Sequence, residues 1–136
     1  MKTRLKKMLG LAALGVTLLS TTVPTWAGYV YNRQVRITYV TNNGFEARGA
    51  LPAARFSADS RQYIGCRISA YANGSRSAYC AAQTSSDNLA SCSTSDPKLI
   101  EKIQKMTDSS EVYFKGNRTT AACLSISIIN ESSGLR

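Results

Sequence analysis

Apolar and polar positions alternate along the chain from residue 35, which is the pattern of a half-buried β-strand. Residues 35–40 carry β-branched and aromatic side chains at every second position. The pair Asn43-Gly44 follows and favours a two-residue hairpin turn, and residues 45–50 can return as the partner strand. Residues 51–60 contain a proline and small polar side chains, so they are predicted to form a connection.

A second hairpin gives the strongest signal. Residues 62–72 alternate well, the pair Asn73-Gly74 is a turn dipeptide, and residues 75–82 can return. One face of the first strand is predicted to carry Ile64, Cys66, Ile68 and Ala70. The other face is predicted to carry Tyr63, Arg67, Ser69 and Tyr71.

Four cysteines follow residue 27, and an even number in a small exported domain predicts two disulfides. A two-residue hairpin turn would make Cys66 and Cys80 point to opposite faces of the sheet. We therefore expect Cys80–Cys92, which closes a Ser-rich loop at 83–94, and Cys66–Cys123. This pairing is one of the three that four cysteines allow. The absence of histidine and of a CxxC pair argues against a zinc site.

The second half of the chain predicts one helix and two further strands. Asp96 can cap a helix over residues 97–106 and Pro97 suits its first position. Strands are predicted at 111–115 and 121–130. The residues of the last strand expected to face inward are Leu124, Ile126 and Ile128. The fold class is therefore α+β and mainly β: an antiparallel sheet or small sandwich of about six strands with one helix.

The N-terminus has the order of a secretory signal peptide. Four basic residues among the first seven precede an uncharged, mostly apolar run at 8–19, and small residues stand at Thr25 and Ala27. This predicts a bacterial signal peptide at 1–27 and one exported domain at 28–136, either periplasmic or extracellular. The alternative is an N-terminal membrane anchor or a buried helix, but the apolar run is short for a bilayer span.

Positive charge is concentrated in the first half of the predicted mature domain. The whole chain carries a net charge of +9. Residues 28–76 contain seven arginines and no lysine against two acidic residues, whereas basic and acidic residues balance in 77–136. The residues predicted to form a binding face are Tyr63, Arg67, Tyr71 and Arg76, with Arg36 added from a neighbouring strand. Guanidinium groups and aromatic rings suit anionic polysaccharide, lipid headgroups or nucleic acid. The alternative is an ordinary solvated sheet face.

A set of short motifs resembles a group of small exported bacterial proteins that have four cysteines and no assigned activity. The motifs are Gly65-Cys66, Tyr79-Cys80, Ser91-Cys92, Ser95-Asp96-Pro97 and Ala122-Cys123. The resemblance covers residues 62–130. It implies the fold and the compartment, and it carries over no active site.

The residues needed for common enzymatic chemistry are scarce. The chain has no histidine, the cysteines are expected to be oxidised, and the carboxylates are scattered. We expect no enzyme, cofactor or metal. The predicted function is a non-catalytic exported domain with a structural or binding role, whose basic face contacts an anionic envelope polymer. The alternative is an inhibitor of a secreted hydrolase acting through the loop at 83–94. A toxin acting by charge is a further alternative, although the charge is mild.

Overall fold

The computed structural model describes residues 33–130, which form seven β-strands and two helices. The predicted signal peptide at 1–27 lies outside the described residues. The elements in chain order are β1 (Arg36–Tyr39), β2 (Gly44–Ala50), α1 (Leu51–Arg55), β3 (Tyr63–Ala70), β4 (Arg76–Gln83), β5 (Leu89–Thr94), α2 (Pro97–Gln104), β6 (Glu111–Asn117) and β7 (Cys123–Ile129).

The strands form two antiparallel sheets that share one core. The first sheet has the order β1-β2-β6-β7 and the second has the order β3-β4-β5. The inner face of each sheet carries the apolar member of the alternating pattern, and buried residues from both sheets form a single cluster. These observations confirm the predicted mainly β fold and its two disulfides.

Large side chains on the first sheet pack against small ones on the second. Phe45 and Phe114 are fully buried, and their rings meet edge to face with centroids 5.9 Å apart. The small buried residues of the second sheet are Ala78, Cys80, Ala82, Ala90 and Cys92. This complementarity in size lets the two sheets approach closely.

Helix α2 closes one side of the core. The Asp96 carboxylate accepts a hydrogen bond from the Lys98 backbone N–H at 2.8 Å, which confirms the predicted N-cap. Ile100 and Ile103 are buried, and the helix packs against β7, β3 and β4. The helix ends at Gln104, two residues before the predicted end.

The hairpin between β3 and β4 has a three-residue loop instead of the predicted two-residue turn. The Tyr71 backbone N–H donates to the Ser75 carbonyl, and the Gly74 N–H donates to the Tyr71 carbonyl. Gly74 has φ +82°, which suits the left-handed position that ends such a loop. The additional loop residue shifts the register by one position.

This shift overturns the predicted disulfide pairing. Cys66 lies directly opposite Cys80 on the same face of the sheet, and these two residues are bonded. Cys92 of β5 is bonded to Cys123 of β7 and so joins the two sheets. The predicted pairs Cys80–Cys92 and Cys66–Cys123 are therefore wrong, because a one-residue slip reverses the face of every side chain in a strand.

Two elements were not predicted from the sequence. The expected loop at 83–94 is a short turn at 84–88 followed by β5, whose inward residues Ala90 and Cys92 alternate with exposed neighbours. The expected connection at 51–60 begins with the five-residue helix α1. A strand with small inward residues gives a weak signal, and a helix of five residues is too short for periodicity.

A β-bulge changes the last predicted strand. The pairing of β6 with β7 shifts between Lys115 and Gly116, so that Gly116 pairs with Cys123. Ile126 faces inward as predicted, but Leu124 is 64% exposed and that prediction is wrong. The bulge turns Leu124 away from the core because it changes the alternation locally.

Candidate binding face

Three exposed tyrosines and one arginine lie on the outer face of the three-stranded sheet. Strand alternation places Tyr63 and Arg67 on one face of β3, and Tyr79 of β4 lies directly opposite Arg67. Tyr71, one residue beyond the strand, continues this face, since its hydroxyl lies near Ser77. Their exposed fractions are 43% for Tyr63, 55% for Tyr71 and 38% for Tyr79. Helix α2 and the four-stranded sheet cover the other face of this sheet. We call these four residues the tyrosine–arginine face.

Arg67 and Tyr79 form the centre of the tyrosine–arginine face. The Arg67 guanidinium carbon lies 4.8 Å from the centroid of the Tyr79 ring. This cation–π contact restrains the guanidinium, and the Arg67 side chain remains exposed to solvent. Arg67 forms no ion pair with any acidic residue in the described part of the chain. Its charge is therefore available to an external anion.

The two remaining tyrosines extend the face along β3. Tyr63 and Tyr71 each lie four residues from Arg67, which corresponds to about 13 Å at about 3.3 Å per residue. The Tyr71 hydroxyl lies 3.2 Å from the Ser77 hydroxyl on the adjacent strand. The face therefore offers three contact points in a row, a geometry that fits an extended ligand better than a compact one.

A groove rich in hydroxyl groups adjoins the tyrosine–arginine face. Its volume is about 850 Å³. The hydroxyl-bearing residues that line it are Ser77, Ser93, Thr94, Ser95 and Thr120. Ser93 pairs directly with Tyr79, so the groove begins where the aromatic face ends. The hydroxyl groups can both donate and accept hydrogen bonds.

The start of β3 is fixed by a buried glutamine. The Gln62 side-chain oxygen accepts a hydrogen bond from the Val35 backbone N–H at 3.0 Å, and its amide donates to Asp59 at 2.6 Å. The hydrogen bond from the Gln62 side chain lowers the pKa of Asp59, and hydrogen bonds from the backbone N–H groups of Gln62 and Arg61 lower it further. This network holds the segment that leads into Tyr63.

Charges near the Tyr63 end of the sheet are already paired. Arg61 and Asp87 form an ion pair at 2.7 Å, and both side chains are more than half exposed. The Gln83 amide donates to the same Asp87 carboxylate at 3.0 Å. Exposed pairs of this kind contribute little to stability, but they reduce the net field that a ligand meets at this end.

Two of the five predicted binding residues lie elsewhere. Arg76 is opposite Ala70 and alternates with the buried Ala78, so it lies on the α2 side of the sheet beside Pro97. Arg36 belongs to β1 in the other sheet. The single predicted face with Arg36 and Arg76 is therefore wrong; Tyr63, Arg67 and Tyr71 do share one face.

Tyr79 belongs to the tyrosine–arginine face but was not predicted as a binding residue. The two-residue turn assumed from the sequence would place Tyr79 opposite Ile68, on the inner face. The observed loop places it opposite Arg67. The sequence signal that points to the longer loop is weak, because Asn-Gly occurs in hairpin turns of both lengths.

The cysteines provide no reactive thiol. All four cysteines are bonded, so no thiol is free. Within residues 33–130 no group of three or more His, Cys, Asp or Glu residues is placed to hold a metal ion. Neither of the helices in this range has the length and apolar character needed to cross a bilayer.

No protein-family model, curated protein or solved structure matches the chain. The functional argument therefore depends on the chain's own residues.

Proposed function

We propose that the chain is an exported, non-catalytic domain of the bacterial envelope that binds an anionic polysaccharide through the tyrosine–arginine face. The observation that carries the proposal is the Arg67 guanidinium, stacked on Tyr79 and without an acidic partner among residues 33–130. A guanidinium held by an aromatic ring offers a preorganised fork to a carboxylate or phosphate.

The neighbouring residues favour a sugar polymer over other anions. Exposed tyrosine rings provide flat apolar surfaces for sugar rings, and the hydroxyl groups of the adjoining groove suit a ligand rich in hydroxyl groups. Nucleic acid binding gains most of its affinity from several phosphate contacts, whereas this face presents one unpaired cation. Insertion into a lipid surface needs a broader apolar patch than isolated tyrosines provide.

Export is supported by two features. The N-terminal sequence has the order of a signal peptide, and both disulfides are compatible with an oxidising compartment. The proposal places the domain in the periplasm or outside the cell.

The experiment measures binding of the oxidised chain from Gly28 onward to four probes. The probes are a polyuronate of defined length, a neutral glucan of the same length, single-stranded DNA and vesicles that contain anionic phospholipid. We expect the polyuronate to bind best. Arg67→Gln should weaken that binding about tenfold, as expected for the loss of a charge-assisted hydrogen bond.

Arg76→Gln is the matched control. It removes the same charge from the same sheet but from the α2 side, so binding of the polyuronate should be unchanged. Tyr71→Phe should bind like the wild type and Tyr71→Ser should bind more weakly, because only the ring is needed for stacking. Equal losses in Arg67→Gln and Arg76→Gln, or stronger binding of DNA or vesicles, would contradict the proposal.

No specific observation supports the alternative that the chain inhibits a secreted hydrolase. Its predicted active segment, residues 83–94, is not a long loop closed by a disulfide. It forms the end of β4, a turn at 84–88 and the strand β5, and Cys92 is tied to Cys123.

A further inference from the structure

The outer face of the four-stranded sheet contains a basic pocket that is separate from the tyrosine–arginine face. Its volume is about 400 Å³, within the range of small-molecule sites. The residues that line this arginine pocket are Arg36, Thr38, Glu46, Arg48, Tyr113, Ser127 and Ile129. They come from all four strands of the sheet, so the pocket has a rigid base.

Two arginines lie directly opposite each other in the pocket. Arg36 of β1 pairs with Arg48 of β2 in the strand register. Like charges opposite each other on neighbouring strands are destabilising. Arg36 is exposed and forms no ion pair with an acidic residue within 33–130. An anion between the two guanidinium groups would relieve this repulsion.

Arg48 is only partly compensated. Its Nε donates to Glu111 Oε1, and the same oxygen accepts a hydrogen bond from Arg33 at 2.8 Å. Glu111 is thus shared between two arginines. The Arg48 side chain remains 51% exposed, so its terminal N–H groups can reach a ligand.

The other carboxylate of this face is also occupied. Glu46 forms an ion pair with Lys115, and Lys115 lies on the strand next to β2. Hydrogen bonds from Lys115 and then from Tyr113 lower the pKa of Glu46 below its ordinary value. Glu46 therefore stays ionised but is neutralised locally, and it does not cancel the charge of Arg36.

We propose that the arginine pocket binds a phosphate monoester, with the phosphate between Arg36 and Arg48. Arginine pairs bind phosphate in a forked geometry, and the hydroxyl group of Thr38, two residues from Arg36 in β1, can supply a further donor. The pocket is larger than a phosphate ion and includes the apolar wall of Ile129, which leaves room for a small organic group.

The experiment titrates the oxidised chain from Gly28 onward with three probes: inorganic phosphate, glycerol 3-phosphate and vesicles that contain phosphatidic acid. Binding is followed by chemical shifts of backbone amides and arginine Nε–H groups. We expect glycerol 3-phosphate to bind more tightly than inorganic phosphate and to shift the signals of Arg36 and Arg48. Binding of the vesicles through the same signals would identify a lipid headgroup as the source of the phosphate; vesicle binding without these shifts would overturn the proposal.

Arg36→Gln should raise the dissociation constant for glycerol 3-phosphate at least tenfold, and Arg36→Lys should raise it less because the charge is kept. Arg76→Gln, in the other sheet, is the matched control and should bind like the wild type. Without phosphate, Arg36→Gln should melt at the same or a higher temperature, since an opposition of like charges is removed. Equal affinity in all these proteins, or no binding by the wild type, would overturn the proposal.

Discussion

Replacement of Gly116 by alanine tests how tightly the core packs around this residue. Its neighbours are Phe45, the cross-strand partner in the same sheet, and Cys92 of the other sheet. A Cβ atom at Gly116 would lie 2.6 Å from Phe45 Cζ and 2.9 Å from Cys92 Cβ. Both neighbours are about 1% exposed. The Phe45 ring is held edge to face by Phe114, and Cys92 is tied by its disulfide to Cys123. Neither neighbour can move without displacing another buried group.

The expected cost follows from this crowding. Forcing one extra methyl group into a packed core costs about 1–3 kcal/mol, and the constrained neighbours place Gly116→Ala at about 3 kcal/mol. For a domain of this size that free energy lowers the melting temperature by roughly 12–24 °C. The measurements are thermal melting and urea unfolding of the oxidised protein.

Gly65→Ala is the matched control, because a Cβ atom there would meet only Leu51 Cδ2 at 3.9 Å. Its stability should stay within about 0.5 kcal/mol of the wild type. Phe45→Leu combined with Gly116→Ala should be less destabilised than the sum of the two single variants, because the smaller side chain frees the space. If Gly116→Ala and Gly65→Ala unfold alike, the described packing of Phe45 and Cys92 around Gly116 is wrong.

Three further predictions concern the disulfides and one ion pair. The first is the disulfide pairing, measured by mass spectrometry after digestion without reduction. The protease must cleave at aspartate, because no Lys or Arg lies between Cys80 and Cys92. We expect peptides that join Cys66 to Cys80 and Cys92 to Cys123, and a peptide that joins Cys80 to Cys92 would contradict the register. Replacing both cysteines of either pair by serine should cost about 3–4 kcal/mol in unfolding free energy. Glu46→Gln should lower the urea midpoint at neutral pH, and this difference should shrink as the pH falls below the ordinary value of 4.5. The pKa of Glu46 is lowered on folding, chiefly by the hydrogen bond from Lys115, so its stabilisation is present above the ordinary value and is lost as the pH falls through the folded value. A midpoint difference that stays constant or grows as the pH is lowered would contradict this.

Local patterns predicted most of the strands and the main helix. The alternation in residues 62–72 predicted β3, and Asp96 before Pro97 predicted the start of α2. These signals are local because each depends on side chains a few residues apart: a strand exposes every second residue, and an N-cap binds the first turn of its own helix. Segment β5 was missed because its inward residues are small.

Local sequence patterns could not predict which residues pair between strands. One additional residue in the loop that contains Gly74 changed the partner of Cys66 and moved Tyr79 onto the outer face. The pairing of β1 with β2 also determines the sheet in which Arg36 lies. Its exposed place in a strand followed from the sequence, but the sheet to which that strand belongs did not.

The sequence by itself therefore determined the mainly β composition, the capped helix, the even set of cysteines and the concentration of arginine in the first half of the domain. Only the tertiary structure decided which cysteines bond and which arginines and tyrosines share a surface. The physical reason is that register and sheet order depend on loop geometry and on contacts between residues far apart in the chain, and a shift of one residue moves every side chain of a strand to the other face.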